Sequence, residues 1–422
     1  MFKKTTLKNG LRIITVPQKG TQTATCLVLV GTGSKYETKN ISGISHLLEH
    51  LLFKGTKKRP TNLQIAEPLD RVGGAYNAFT GEDYTGYYAK VDIKHLDLAL
   101  DVISDIYLNS KLDQKEIAKE KGVVIEEINM YNDHPMSHVQ SLWTKLLYGD
   151  QPAGWDIAGT KDSVSAITRS QLAEYMKTQY NAKNTVVCIA GGIDNEETAN
   201  RIKRYFKRIR TEDGIKKTQV IEKQKEPNLL LEHRNTDQTH FCLGVRGYNL
   251  FHPQKYSLEL LGLILGGMMS SRLFIEVREK LSLCYYIRAV ASEDPDTGFL
   301  VVQAGVDNSR VEKAVGAVVK EFRKIADAKV SPKELKKVKD HIKGKMALSF
   351  ESSDALASFY GAQELLENKI LTPEQIYDKI NKVTVSDIYR ISKDIFKPEK
   401  LNLAIIGPVK NKEKLWTILR KF

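Results

Sequence analysis

Cysteine is scarce: four in 422 residues, at Cys26, Cys188, Cys242 and Cys284. No two have CxxC spacing, and most lie in apolar, strand-like runs. That pattern excludes a disulfide framework and a cysteine zinc site, and predicts buried free thiols. No run of about 18 apolar residues occurs, which argues against a membrane span. The opening MFKKTTLKNGLRIITVP has two lysines but no apolar signal-peptide core behind them, so a cytoplasmic protein is expected. No RRM, KH or zinc-finger pattern is present. The net charge of +13 is spread over helix faces such as RIKRYFKRIR and SPKELKKVKDHIKGK, so neither nucleic acid nor a membrane is expected as a partner.

What is present is an alternation of strand and helix patterns. LRIITV and ATCLVLVG read as strands, and ISHLLEHLLFKG has helical spacing. TNLQIAEPLDRVGG reads as a second helix ending at Gly73-Gly74, with Pro68 as an irregularity. AYNAFTGEDYTGYYAKV reads as two strands around a turn. TEDGIKKTQVIEKQKEP is polar, Lys-rich and closed by Pro227, and is the best linker candidate.

The pattern then repeats. Ile167, Thr168, Ser170, Leu172, Tyr180 and Gly191 match Val383, Thr384, Ser386, Ile388, Phe396 and Gly407, all 216 positions on. Cys26 and Gly31 match Cys242 and Gly247 at the same offset. A shared offset at both ends of each half points to internal duplication. The expected fold is α+β: two similar tandem domains of about 200 residues, each a mostly antiparallel sheet with helices on one face. The expected boundaries are 1–212, a linker at 213–228, and 229–422.

HLLEH is the chemical signal. On a helix, His46 and His50 project from one face. Two neutral imidazoles suit Zn²⁺, which in catalytic sites takes three protein ligands and keeps one position for water. Glu49 is near enough to reach that water without being a ligand, as a hydrolase needs. The bland alternative is an amphipathic helix with surface histidines, its apolar face built from Leu47, Leu48, Leu51 and Leu52. A third ligand decides between them. In KEKGVVIEEINMYND, Glu120 and Glu127 are seven apart and share a helix face, while Glu126 is turned away by about 100°. Glu127 can then be the ligand, with Glu120 behind it orienting a histidine. The second half has no HxxEH; its equivalent region reads LELLGLILGGMMSS.

HLLEH, followed after 76 intervening residues by Glu127, resembles the inverted zinc motif of the pitrilysin–insulinase family, which includes mitochondrial processing peptidase. GGAYNAFTGEDYTGYY and LGGMMSSRLFIEVREKLSLCYYIRAV resemble two further family segments, and the likeness runs from LKNGLRIITVP to LNLAIIGPV. The resemblance implies one Zn²⁺ per chain on His46, His50 and Glu127, Glu49 as general base, and Glu120 as supporting carboxylate. It implies that Asn77 and Ala78 hold the substrate backbone by β-strand addition. Arg278 and Tyr285 would donate to substrate carbonyls and the developing oxyanion. The implied activity is zinc endopeptidase action on peptides or unfolded polypeptides in a closed chamber. Two domains per chain and both motif sets in one chain suggest a homodimer. The alternative within the same fold is a weak or inactive peptide-binding scaffold.

Overall fold

The structure, a computed structural model, describes residues 1–212 and 214–422. Asp213, the first residue of the expected linker 213–228, lies outside the described residues. Among the described residues eleven strands form two sheets. The first contains β1 (Lys3–Thr6), β2 (Arg12–Pro17), β3 (Thr23–Val30), β4 (Ala75–Thr80), β5 (Thr85–Asp92) and β6 (Thr185–Gly191), in the order β1-β2-β6-β3-β5-β4. The second contains β7 (Asn228–His233), β8 (Gln238–Arg246), β9 (Cys284–Glu293), β10 (Gly298–Asp307) and β11 (Leu401–Gly407), in the order β7-β11-β8-β10-β9. In each sheet a single pair is parallel, β2 with β6 and β7 with β11, and every other pair is antiparallel.

The duplication is legible residue by residue. β2 and β7 start at 12 and 228, and β6 and β11 at 185 and 401, each 216 apart. Helices Arg169–Gln179 and Val385–Ile395 keep the same offset, and both open with a threonine capping box, at Thr168 and Thr384. That box satisfies two of the orphan donors of a helix start. Gly191 and Gly407 both take positive φ, 142° and 155°, at the end of equivalent strands. Such a backbone favours glycine.

The chain forms two compact units, each built from three segments. The first unit takes 1–128, 156–218 and 346–370; the second takes 129–155, 219–345 and 371–422. The 229–422 half thus lends 346–370 to the first unit, and the 1–212 half lends 129–155 to the second. In the first unit the local helices cover one sheet face, over a core that includes Leu47, Leu51, Ile65, Leu100, Ile103 and Leu172. The other face carries Ile14, Leu27, Leu29 and Cys188, and is covered by Leu356, Ala357 and Tyr360 of helix Ser353–Glu367. In the second unit, helix Pro135–Tyr148 plays the same part, with Leu142 and Trp143 against Cys242, Ala404 and Ile406. Strands with apolar residues on both faces require this second cover. Among the described residues no helix is long and apolar enough to cross a membrane. Cys26, Cys188 and Cys242 are buried free thiols, and Cys284 is half-buried.

Candidate metal centre

Helix Ile44–Leu52 begins after Gly43, whose φ of 91° turns the chain sharply into it. Ile44, Leu47, Leu48, Leu51 and Leu52 are buried. Each leucine contributes about 1.5–3 kcal/mol through burial. The leucine face therefore fixes the rotation of the helix, and His46, Glu49 and His50 are left on the opposite, half-buried face. Helix Gln114–Asp133 buries Ile117, Glu120 and Val124, at spacings of three and four that define one inward stripe. Glu127 continues that stripe toward the histidines.

The three expected ligands meet. Nε2 of His46 lies 3.6 Å from Oε2 of Glu127, and Nε2 of His50 lies 3.5 Å from the same oxygen. The two imidazoles pack edge to face, 4.7 Å between centroids. One donor atom from each of the three residues falls within 4.8 Å of the others. Nδ1 of His50 donates to Oε2 of Glu120 at 3.3 Å. That bond orients the ring so that Nε2 faces Glu127, where a bound cation would take the place of the Nε2 proton. Glu120 is held from behind as well, by Nζ of Lys54 at 2.8 Å.

The electrostatics fit a cation. Burial, with the His50 charge beside it, lowers the imidazole of His46 to about 4, so this ring is neutral and its nitrogens are available as donors. Its Nδ1 is buried without a partner among the described residues. Burial also acts to lower His50, but Glu120, Glu127 and Glu49 together hold it up at about 9. The site thus favours positive charge where Glu127 and the two imidazoles converge. Two nitrogens and a carboxylate oxygen suit zinc. The residues present fit that ion.

Glu49 is not part of this triplet. Its Oε2 accepts from Thr80 Oγ1 at 2.5 Å, and burial raises its pKa while Thr80 lowers it. Thr80 closes β4, the edge strand of the first sheet. Alternate residues Tyr76, Ala78 and Thr80 are half-buried, while Asn77 is exposed. Oδ1 of Asn77 accepts from the Ala78 amide at 2.9 Å, so this amide points off the sheet edge. The sequence reading missed Thr80 and Lys54. The signals were there: Thr80 stands two residues beyond Ala78 on a period-2 strand, and Lys54 four beyond His50.

Arg278 and Tyr285 lie in the second unit, where the structure brings them together. The guanidinium of Arg278, in the π-helical turn Phe274–Lys280, stacks 4.5 Å from the Phe274 ring centroid and 5.2 Å from that of Tyr285. Tyr285 is 78% exposed.

The second unit has glycines where the first has its histidines. At the offset of 216, His46 and His50 correspond to Gly262 and Gly266, and Glu49 to Leu265. Helix Lys255–Gly266 lies directly on β9: a Cβ on Gly266 would sit 2.4 Å from the Ala289 amide nitrogen, and one on Gly262 would sit 3.4 Å from that of Ala291. Where the first unit carries two histidines on its helix, the second has glycines in close contact with the strand.

Comparison with known proteins finds two family domains along the chain. Residues 12–161 match the insulinase (peptidase family M16) domain, and residues 166–342 match the peptidase M16 inactive domain. The chain is 35% identical over 411 residues to an uncharacterised zinc protease of Bacillus subtilis, covering 97% of this chain and 99% of that one. It is 32% identical over 421 residues to one from Streptomyces coelicolor, covering 97% and 90%. The crystal structure of a protease from Helicobacter pylori superposes with a TM-score of 0.91 at 24% identity, covering 97% of this chain and 99% of that chain. A peptidase M16 inactive domain from Pseudomonas fluorescens gives 0.89 at 17%, covering 98% and 99%. These two likenesses bear on the fold. On the family match and the identity to the zinc proteases together, the chain belongs to the insulinase family of peptidases, family M16.

Proposed function

We propose that the protein is a zinc endopeptidase that cleaves peptides or unfolded polypeptides, with Glu49 as general base. The observation that carries this reading is the convergence of His46 Nε2, His50 Nε2 and Glu127 Oε2, with the Glu49 carboxylate held beside them by Thr80. His46, His50 and Glu127 would hold one zinc ion per chain. Bound there, the ion supplies a Lewis acid for a carbonyl oxygen and lowers the pKa of water.

The remaining chemistry belongs to the chain. Thr80 occupies one oxygen of Glu49, and the other takes the proton of the attacking water and passes it to the leaving amine. Glu120 keeps the His50 ring oriented through Nδ1. The edge of β4 at Asn77 and Ala78 receives the substrate backbone, with main-chain hydrogen bonds that ask little of its sequence. For this the Asn77 side chain releases the Ala78 amide. Arg278 and Tyr285 donate to substrate carbonyls and to the oxyanion. A closed chamber, made by two copies of the chain and selecting substrates by size and foldedness, completes the proposal. The names of the relatives, zinc proteases, support the reaction class.

The test is metal analysis of the purified protein alongside a quenched-peptide assay. One zinc per chain and hydrolysis lost to a chelator are expected. A folded protein that holds zinc but cleaves no member of a peptide library would be the scaffold instead.

A further inference from the structure

The segment Gly33–Glu37 supplies no reacting atom, yet it touches both sides of the candidate site. On one side it runs along the β4–β5 turn that follows Thr80. The Ser34 amide donates to Gly81 O at 3.2 Å and the Lys35 amide to Glu82 O at 3.0 Å. Gly33 permits this approach, since a Cβ there would sit 2.2 Å from Gly81 O. The Lys35 side chain is 0% exposed, with Nζ 3.1 Å from Asp83 Oδ2 and 3.0 Å from Glu82 Oε2. Lys217 reaches the other oxygen of Asp83.

On the other side the segment holds the start of the histidine helix. Glu37 is buried; its Oε2 accepts from the Gly43 amide at 2.7 Å and its Oε1 from the Ser45 amide at 2.9 Å. These are donors that the first helical turn leaves without partners. Ser45 Oγ is 2.7 Å from the Tyr175 hydroxyl, which is 2.7 Å from Thr32 Oγ1. The attachment is therefore buried and braced from the core. Burial raises the Glu37 pKa to about 8 against the lowering effect of these donors, so it is the two accepted hydrogen bonds that hold the carboxyl in place.

We propose that Lys35 and Glu37 are positioning residues: through them Gly33–Glu37 acts as a bracket that sets the spacing between the helix bearing His46, Glu49 and His50 and the strand end bearing Thr80. The inference rests on the proposed function, since the spacing matters only if Glu49 and the ligands act together. Neither residue touches substrate or metal. Each acts through an element that does, and a displacement of about 1 Å can cost about 100-fold in rate.

The test compares the full-length wild type with Lys35→Met, Glu37→Gln and the control Glu364→Gln. Glu364 is an equally buried carboxylate (0% side-chain exposure), on helix Ser353–Glu367 over the opposite sheet face. Zinc affinity is read by competition with a colorimetric chelator, and kcat and KM are read on a quenched peptide. Lys35→Met and Glu37→Gln are expected to weaken zinc at least about tenfold and to lower kcat about 10–100-fold, with KM nearly unchanged. Glu364→Gln should lower only the melting temperature. The bracket is overturned if the two variants behave like this control. Should Glu37→Gln fail to fold, Glu37→Asp keeps the carboxyl group, shortens its reach by one methylene and is read the same way. If the wild type neither binds zinc nor cleaves peptide, it is the proposed function that falls, and the bracket with it.

Discussion

Nδ1 of His50 lies 3.3 Å from Oε2 of Glu120, while the Nε2 of the same ring faces Glu127 at 3.5 Å. One imidazole thus carries two carboxylates on opposite nitrogens, and Lys54 balances the rear one. A ring held this way is oriented in advance for any ion it would bind. Glu120→Gln keeps the shape but removes the charge that makes Nδ1–H a strong donor. Zinc affinity is expected to fall about 10–100-fold. Chelator competition measures it, and unchanged affinity would remove Glu120 from the site.

Thr80 donates to the oxygen of Glu49 and so lowers a pKa that burial raises. Thr80→Val deletes that donor. The folded-state pKa of Glu49 then rises further, and since a general base must be ionised, the acid limb of kcat/KM moves to higher pH. The variant should lose more activity at pH 6 than at pH 8. A pH profile parallel to wild type would contradict the pairing.

Removing the metal should cost stability in the first unit. The converging Nε2 of His46 and the cluster of carboxylates around His50 are then left with less compensation. A ligand at about 1,000 times its Kd stabilises by about 4 kcal/mol. Scanning calorimetry with and without chelator should show a zinc-dependent shift, restored on adding zinc back. Identical scans would mean that the histidines hold no ion.

The second unit should tolerate no side chain at its glycine contact. Gly266→Ala places a Cβ against the Ala289 amide, at a cost of about 1–3 kcal/mol. The melting temperature should fall while zinc content stays at the wild-type value. A fully stable variant would show that helix Lys255–Gly266 can lift off β9.

Much of this was legible in the sequence because it is periodic or local. The 216-residue offset foretold two similar sheets, which share a five-strand order to which the first adds β1, and HLLEH with Glu120 and Glu127 foretold the convergence of donors. Helix Asn62–Asp70 was expected through Pro68, and it runs through it, opened by a capping box at Thr61. It stops at Asp70, before the expected Gly73-Gly74, although Gly73 has a φ of 66° and the Gly74 amide bonds to Leu69 O at 2.9 Å. What stayed hidden depends on tertiary choice. Helices Pro135–Tyr148 and Ser353–Glu367 have ordinary amphipathic patterns, which do not say which sheet they cover. Lys35 and Glu37 sit in a polar stretch, SKYETKN, that reads as a solvated loop, yet both side chains are buried. The pairing of each with a partner from another element gives no sequence period.

The most direct test of the central claim is hydrolysis of a quenched peptide by Glu49→Gln beside wild type, with zinc measured in both. The account expects equal zinc, one ion per chain, and a rate lowered by about 10²–10⁴-fold in the variant. A Glu49→Gln protein that retains zinc and cleaves at the wild-type rate would contradict it.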